Sequence, residues 1–238
     1  MNILITNDDG IESPILPALI RWARKLGDVT AIVPKYEQSG KSQSIDFFNE
    51  LEIKRVSLAP DVTAYTVDST PADCVRFGVL GLGQRYDLVI SGINRGYNLG
   101  DDIVYSGTVG AIFEASRLSM QGIALSTDPD VLLDSPDRLD DVWAYICDNK
   151  LLEQGNLYNI NIPPHIVGTK ITRQGGIFYT DAFEHRGGDM YIQVGEPVIH
   201  DSDDLSIDII AIKNHYISVS PLTAARTDFA VFEKLKDL

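Results

Sequence analysis

The feature that most constrains this chain is a repeated unit: a short apolar run, a polar or glycine-rich loop, then a stretch with helical apolar spacing. Asn2 to Thr6 breaks at Asn7-Asp8-Asp9-Gly10, which reads as a buried strand ending in a polar loop. Ser13 and Pro14 are suited to cap and open a helix with the stripe Ile15, Leu16, Leu19, Ile20, Ala23 and Leu26, ending at Gly27. Val29 to Val33 is the second strand. The unit then recurs: Ala64 to Val67 is a strand, Thr70-Pro71 opens a helix through Cys74, Val75 and Phe77, and Leu88 to Ile90 is a strand. Thr108 is the expected cap of a helix carrying Val109, Ile112, Phe113 and Ala115 to Leu118, with Gly122 just past its end. Ile123 to Ser126, a helix around Asp137 to Cys147, and Leu157 to Ile162 complete the alternation. It predicts an α/β fold with a doubly wound, Rossmann-like, mostly parallel sheet over residues 1–164.

Past Pro163-Pro164 the pattern changes. Residues 165–238 read as a β-rich extension with short strands at Gly176 to Tyr179, Met190 to Val194, Ile207 to Ile212 and Ile217 to Val219. Phe229, Phe232 and Leu235 recur at helical intervals and predict a terminal amphipathic helix.

In open parallel sheets, ligands bind outside the carboxyl ends of the strands, and the polar and glycine residues here concentrate at those ends. The relevant loops are Asn7-Asp8-Asp9-Gly10, Glu37-Gln38-Ser39-Gly40, and Ser91-Gly92-Ile93-Asn94-Arg95-Gly96-Tyr97-Asn98. Adjacent carboxylates repel, so Asp8 beside Asp9 at the edge of a buried strand costs free energy unless a cation neutralises them. The competing reading has one aspartate capping the next helix and the other solvated. Ser39 and Asn94, taken singly, are ordinary turn and capping residues; together with the aspartates they offer an all-oxygen set suited to Mg²⁺ or Mn²⁺ rather than zinc. Downstream, Ser106 and Thr108 hydroxyls, the Asn98 amide and free amides at a helix start make a phosphate-binding candidate.

The formal net charge of −14 argues against long nucleic acid as a partner, so a phosphorylated substrate needs a locally positive site. Ile3-Leu4-Ile5 has no basic region before it and does not read as a secretory signal, and no apolar run reaches membrane-spanning length. Cys74 and Cys147 are far apart in sequence, which suggests a reduced, cytoplasmic protein with both thiols as small core residues. Several motifs fail. Ser39-Gly40-Lys41-Ser42 ends like a P-loop, but Lys35 stands where its first glycine belongs. Asp201-Ser202-Asp203-Asp204 lacks the glycine and glutamate of a calcium loop, and Tyr105-Ser106-Gly107 lacks the nucleophile elbow. His165, His185, His200 and His215 have no metal-ligand spacing.

Taken together, Ile5-Thr6-Asn7-Asp8-Asp9-Gly10-Ile11, Val33-Pro34 with Gln38-Ser39-Gly40, Thr70-Pro71-Ala72-Asp73-Cys74-Val75, and Ser91-Gly92-Ile93-Asn94 through Asn98 to Tyr105-Ser106-Gly107-Thr108-Val109 resemble the SurE family of stationary-phase survival acid nucleotidases. Asn159-Ile160-Asn161-Ile162-Pro163 and Ser218-Val219-Ser220-Pro221-Leu222 extend the resemblance over nearly the whole chain. It implies one divalent ion per subunit, held by Asp8, Asp9, Ser39 and Asn94, and phosphate contacts from Gly40, Asn98, Ser106, Gly107 and Thr108. It also implies hydrolysis of nucleoside monophosphates, with Asp8 and Asp9 as catalytic residues, and a homodimer or homotetramer built partly by exchanged C-terminal arms. The chain departs from the family's pattern between Arg186-Gly187 and Ala211, where Ser206-Ile207-Asp208 replaces Gly-Thr-Asp, and at His215, which replaces a glycine.

The alternatives are a receiver-like or nucleotide-sensing module without catalysis, and a haloacid-dehalogenase-type phosphatase. A receiver is far shorter and needs a phosphoacceptor aspartate, for which Asp68 is the nearest candidate. A haloacid-dehalogenase-type enzyme wants Asp-x-Asp where this chain has Asp-Asp-Gly.

Overall fold

Strand β1 (Asn2–Thr6) is apolar on both faces, and Ile3, Leu4 and Ile5 are fully buried, so this strand must be covered from both sides. The computed structural model describes all 238 residues and places β1 near the middle of a nine-stranded sheet. Strands β2 (Asp28–Pro34), β4 (Thr63–Val67), β5 (Leu88–Arg95), β6 (Gln121–Thr127) and β7 (Leu157–Ile162) share its direction in the order β4-β2-β1-β5-β6-β7. An antiparallel strand, β3 (Ile53–Val56), closes the β4 edge. At the other edge β11 (Tyr216–Leu222) runs antiparallel to β7, and β8 (Gly168–Ile171) runs parallel to β11. The boundary expected at residue 164 therefore falls between strands of one continuous sheet. A separate hairpin of β9 (Ala182–Gly187) and β10 (Met190–Val194) stands outside it.

The chain winds outward from β1 through β2 to β4, returns to β5, and winds the other way through β6 and β7. The reversal lies between β1 and β5, and their carboxyl ends flank the crevice such a fold opens for ligands.

Alternation along β1 sends its side chains into two cores. Ile3 and Ile5 join α1 (Leu16–Ala23) and α4 (Leu139–Asp148) through Leu16, Leu19, Ile20, Leu139, Val142 and Ile146. Leu4 faces α2 (Pro71–Arg76) and α3 (Gly107–Arg117) through Cys74, Val75, Ala111 and Ala115. Each fully buried Leu or Ile contributes roughly 1.5–3 kcal/mol of transfer free energy, so the two layers account for most of the driving force. A single turn, α5 (Leu151–Gln154), leads into β7, and α6 (Asp208–Lys213) packs Ile209 and Ile212 against Leu99. The terminal helix α7 (Phe229–Leu235) is present and has no buried residue.

Several local expectations are corrected. Helix α1 starts at Leu16 with Pro17 in its first turn; Ser13 makes no cap, and its buried hydroxyl has no partner. The cap of α3 is Ser106, whose hydroxyl accepts from Val109 N–H at 3.0 Å, while Thr108 is turned to another task. Gly122 lies within β6, where a Cβ would stand 2.7 Å from that of Ile112. Of Ile207 to Ile212, only Ile207 is extended, bridging Arg173, and the rest is helical: the run is too short for periodicity to separate strand from helix, and tertiary packing decides. Gly176 to Tyr179 forms no strand beyond one bridge from Tyr179 to Pro197. Cys147 is exposed, and only Cys74 is buried.

Loop 35–50 lies against the first turns of α3. Ser42 N–H donates to Tyr105 O at 3.0 Å, and a Cβ at Gly110 would overlap the Ser42 carbonyl. The lack of a side chain at Gly110 is thus what lets the loop settle. Gly110→Ala is expected to destabilise the protein by about 1–3 kcal/mol through overpacking, read from urea unfolding midpoints. An unchanged midpoint would mean that the loop is not seated as described.

Candidate active site

The carboxyl end of β1 is shaped by Asn7, which is fully buried and clasps the turn: its amide donates to Gly10 O at 2.9 Å, and its carbonyl accepts from Gly10 N–H at 3.1 Å. Gly10 closes this turn at a φ of 79°, with Tyr36 so near that a Cβ would clash. Between these residues, Asp8 and Asp9 project from the sheet edge.

Asp8 is buried, and its Oδ1 accepts the Thr108 hydroxyl at 2.6 Å. The backbone N–H of Thr108 also donates to this carboxylate, so Asp8 sits on the positive N-terminus of α3. Gly107 permits that approach: a Cβ there would lie 3.1 Å from the Asp8 Cβ and 3.2 Å from Gln38 O. Gln38 N–H donates to Asp8 O at 2.7 Å and brings the second loop against the first. Burial raises the Asp8 carboxyl above its ordinary value, and the Thr108 bonds only partly offset this. Burial and the neighbouring Asp8 charge push Asp9 up to about 6. One Asp9 oxygen, Oδ2, is buried with no hydrogen-bond partner.

Ser39 is exposed and donates to Glu37 Oε1 at 2.7 Å. Asn94, at the end of β5, donates its amide to Gly96 O at 2.8 Å, which leaves its carbonyl oxygen free of that bond. Gly40 follows Ser39 at a φ of 73°. Asn98 is held on every side: its N–H donates to Asn161 Oδ1, its side-chain amide donates to Ser126 Oγ, and its carbonyl accepts from Asn159 and Asn161. The expected run of free amides at α3 is mostly engaged. Thr108 N–H faces Asp8, Val109 N–H bonds Ser106, and Gly110 N–H bonds Ser106 O. Gly107, by contrast, lies at the junction of the Asp8 and Gln38 loops.

Sequence reasoning passed over Glu37, whose charge raises both Asp8 and Asp9. It also missed the anchoring roles of Asn159 and Asn161. Alternating asparagines in an otherwise apolar, fully buried strand were the signal, because buried amides demand partners. Asp208 was another omission: it accepts Gly100 N–H at 2.8 Å and ties α6 to the loop after Asn98.

No group of three or more His, Cys, Asp and Glu gathers here in metal-binding geometry. A cation would therefore be held by two carboxylates completed by neutral oxygens. The donor set fits: a buried, unpartnered carboxylate oxygen beside a second carboxylate is an uncompensated negative site, and hard oxygen donors match Mg²⁺ or Mn²⁺.

Fold and site together define a Rossmann-like α/β protein with a two-carboxylate site at the switch point of its sheet. The family model described as Survival protein SurE matches residues 3–181, and the chain belongs to that family. It is 38% identical to a protein of Acinetobacter baumannii named 5'-nucleotidase SurE, over 99% of this chain and 98% of that protein. Proteins of the same name from Natranaerobius thermophilus and Thermosipho africanus are 35% and 36% identical over 100% of this chain, with 98% and 97% of their own lengths covered. The crystal structure of the SurE protein from Aquifex aeolicus superposes with a TM-score of 0.81 at 31% identity, covering 100% of this chain and 99% of that one.

An acid whose folded pKa lies above its unfolded value of about 3.9 binds its proton more tightly in the folded state, so stability falls as pH rises through that window. For Asp9 the window runs from 3.8 to about 6. Metal-free Asp9→Asn is expected to melt above the metal-free parent protein at pH 7 and level with it near the lower end. Thermal melts in EDTA decide this; a variant melting at or below the parent at pH 7 would contradict the raised carboxyl.

Proposed function

We propose that this chain is a divalent-metal-dependent phosphomonoesterase that hydrolyses nucleoside monophosphates to nucleoside and phosphate. The observation that carries the reading is the buried, unpartnered Asp9 Oδ2 beside Asp8, a site that a cation would complete. The names of the relatives supply the reaction: 5'-nucleotidase.

Asp8, Asp9, Ser39 and Asn94 would hold Mg²⁺ or Mn²⁺, one per subunit. Bound there, the ion supplies Lewis-acid polarisation of a phosphoryl oxygen and offsets charge during in-line displacement by water. Gly40, Asn98, Ser106 and Gly107 would receive the phosphate; Thr108, the fifth residue read as a phosphate contact, has its hydroxyl and N–H on Asp8 and orients that carboxylate. Asp8 or Asp9 would also accept a proton from the attacking water.

A receiver-like reading finds less support. A phosphoacceptor would have to stand at the end of a strand beside β1, but β2 and β5 end without an aspartate, and Asp68 follows β4, one strand further out and paired with Lys35 at 3.4 Å. No helix is long and apolar enough to cross a membrane, and both cysteines are free thiols, which supports the cytoplasmic reading.

Residues 165–238 are read as an extension that also serves as an oligomerisation arm. Phe229, Phe232 and Leu235 on α7 are 60%, 48% and 52% exposed, and Phe183, Met190 and Tyr191 on the hairpin are exposed as well. A helix this short is marginal alone, so a neighbouring subunit is its proposed support.

EDTA is expected to abolish phosphate release from nucleotides, with Mg²⁺ or Mn²⁺ restoring it, and Asp8→Asn or Asp9→Asn to cut turnover at least ~10²-fold with the fold retained. Full turnover after exhaustive chelation would sink the metal reading. Deleting residues 223–238 should shift light-scattering mass toward smaller assemblies; a full-length protein that is monomeric at micromolar concentration would rule the arm out.

A further inference from the structure

Next to the two-carboxylate site lies a cavity of about 570 Å³ lined by Gly40, Asp102, Tyr105, Tyr179, Asp181 and Gln193. Its near wall is continuous with the site, because Gly40 follows Ser39 and Tyr105 precedes Ser106. Its far wall is tied to the same floor. Asp102 Oδ2 accepts the N–H groups of Phe178 and Tyr179 at 3.0 and 2.9 Å, and Asp101 N–H donates to Gly176 O at 2.7 Å. A ligand spanning cavity and site would meet walls in fixed relation, and the volume falls in the range of small-molecule pockets.

Two kinds of surface line this cavity. Tyr105 and Tyr179 leave 60% and 45% of their surface accessible, and aromatic faces of this kind stack on any nucleobase. Opposite in character is the pair at the hairpin, where Gln193 Nε2 donates to Asp181 Oδ1 at 3.0 Å. A carboxylate only accepts, so the Gln193 amide must turn its NH₂ toward it, and the acceptors this pair leaves unbonded are the Gln193 carbonyl oxygen and Asp181 Oδ2. A hydrogen-bonded pair that offers only acceptors to the cavity matches a base edge with two neighbouring donors. Guanine has such an edge in its N1–H and exocyclic NH₂. Adenine and cytosine each place a ring-nitrogen acceptor beside their amino group, and uracil flanks one N–H with two carbonyls.

We propose that this cavity is the base subsite and that Asp181 and Gln193 select guanine, making guanosine monophosphates the preferred substrates. This inference rests on the nucleotide phosphomonoesterase reading above. It also accounts for an acidic side chain beside a phosphate site, since Asp181 reads the base end of the substrate and not the phosphate.

The test compares kcat/KM for GMP and AMP with Mn²⁺ present. One bidentate pair discriminates by roughly 10-fold or more, and GMP is expected to lead by that factor. Asp181→Asn replaces a pure acceptor with a group that is half donor, and the GMP-to-AMP ratio should fall at least ~5-fold; a purely structural role would lower both rates and leave the ratio unmoved. A ratio at or below one in the parent protein, or one unchanged in Asp181→Asn, overturns the proposal. If no nucleotide is hydrolysed, the phosphomonoesterase reading fails by itself. The base subsite is then decided by saturation-transfer NMR with guanosine and adenosine: preferential guanosine binding upholds it, and equal or weaker guanosine binding overturns it.

Discussion

Two carboxylates at the end of a buried strand are the constraint around which this molecule is arranged. Burial raises both the Asp8 and Asp9 carboxyls, the Asp8 charge raises Asp9 further, and Glu37 adds to both. The surroundings offset part of that cost. Thr108 gives Asp8 a hydroxyl and an amide from the start of α3, Gly107 keeps that turn close, and Asn7 clasps the turn that presents both acids. The rest is left uncompensated at Asp9, whose buried Oδ2 has no hydrogen-bond partner.

Around the acids, loops are held by polar groups drawn from the core. Asn159 and Asn161 reach out of β7 to grip Asn98, and Asp208 holds Gly100. On the other side Glu114, buried in α3, accepts from Gln43 at 3.0 Å and from Arg76 and Arg117. Burial alone would raise the Glu114 carboxyl, but these hydrogen bonds outweigh it and hold it below its ordinary value. Binding loops are usually the mobile part of an α/β protein; here each carries at least one buried anchor on a rigid element.

Much of this was legible in the sequence. The strand-and-helix alternation over the first 164 residues follows from apolar runs with stop signals, and strand-end placement marked Asp8, Asp9 and Asn94. What escaped depended on contacts distant in sequence. Ser106 and Thr108 are both good caps, and the choice falls to Ser106 because Thr108 is claimed by Asp8. Ile207 to Ile212 has a strand's composition yet turns helical from Asp208, which anchors the helix start to Gly100 while Ile209 and Ile212 pack on Leu99. At His215, where the resemblance led one to expect glycine, φ is 65°: the left-handed backbone remains although the residue that adopts it most easily is gone.

Strand order also bears on how the molecule assembles. Ile3 pairs with both Val29 and Leu88, so the central strand cannot be completed until a distant segment arrives. Thr108 and the start of α3 lie further along still. Until those distant contacts form, the two acids are solvated and repel one another. Contacts so distant in sequence slow the search for the native state, and a cation present at that stage would act as a folding aid before it served any chemistry.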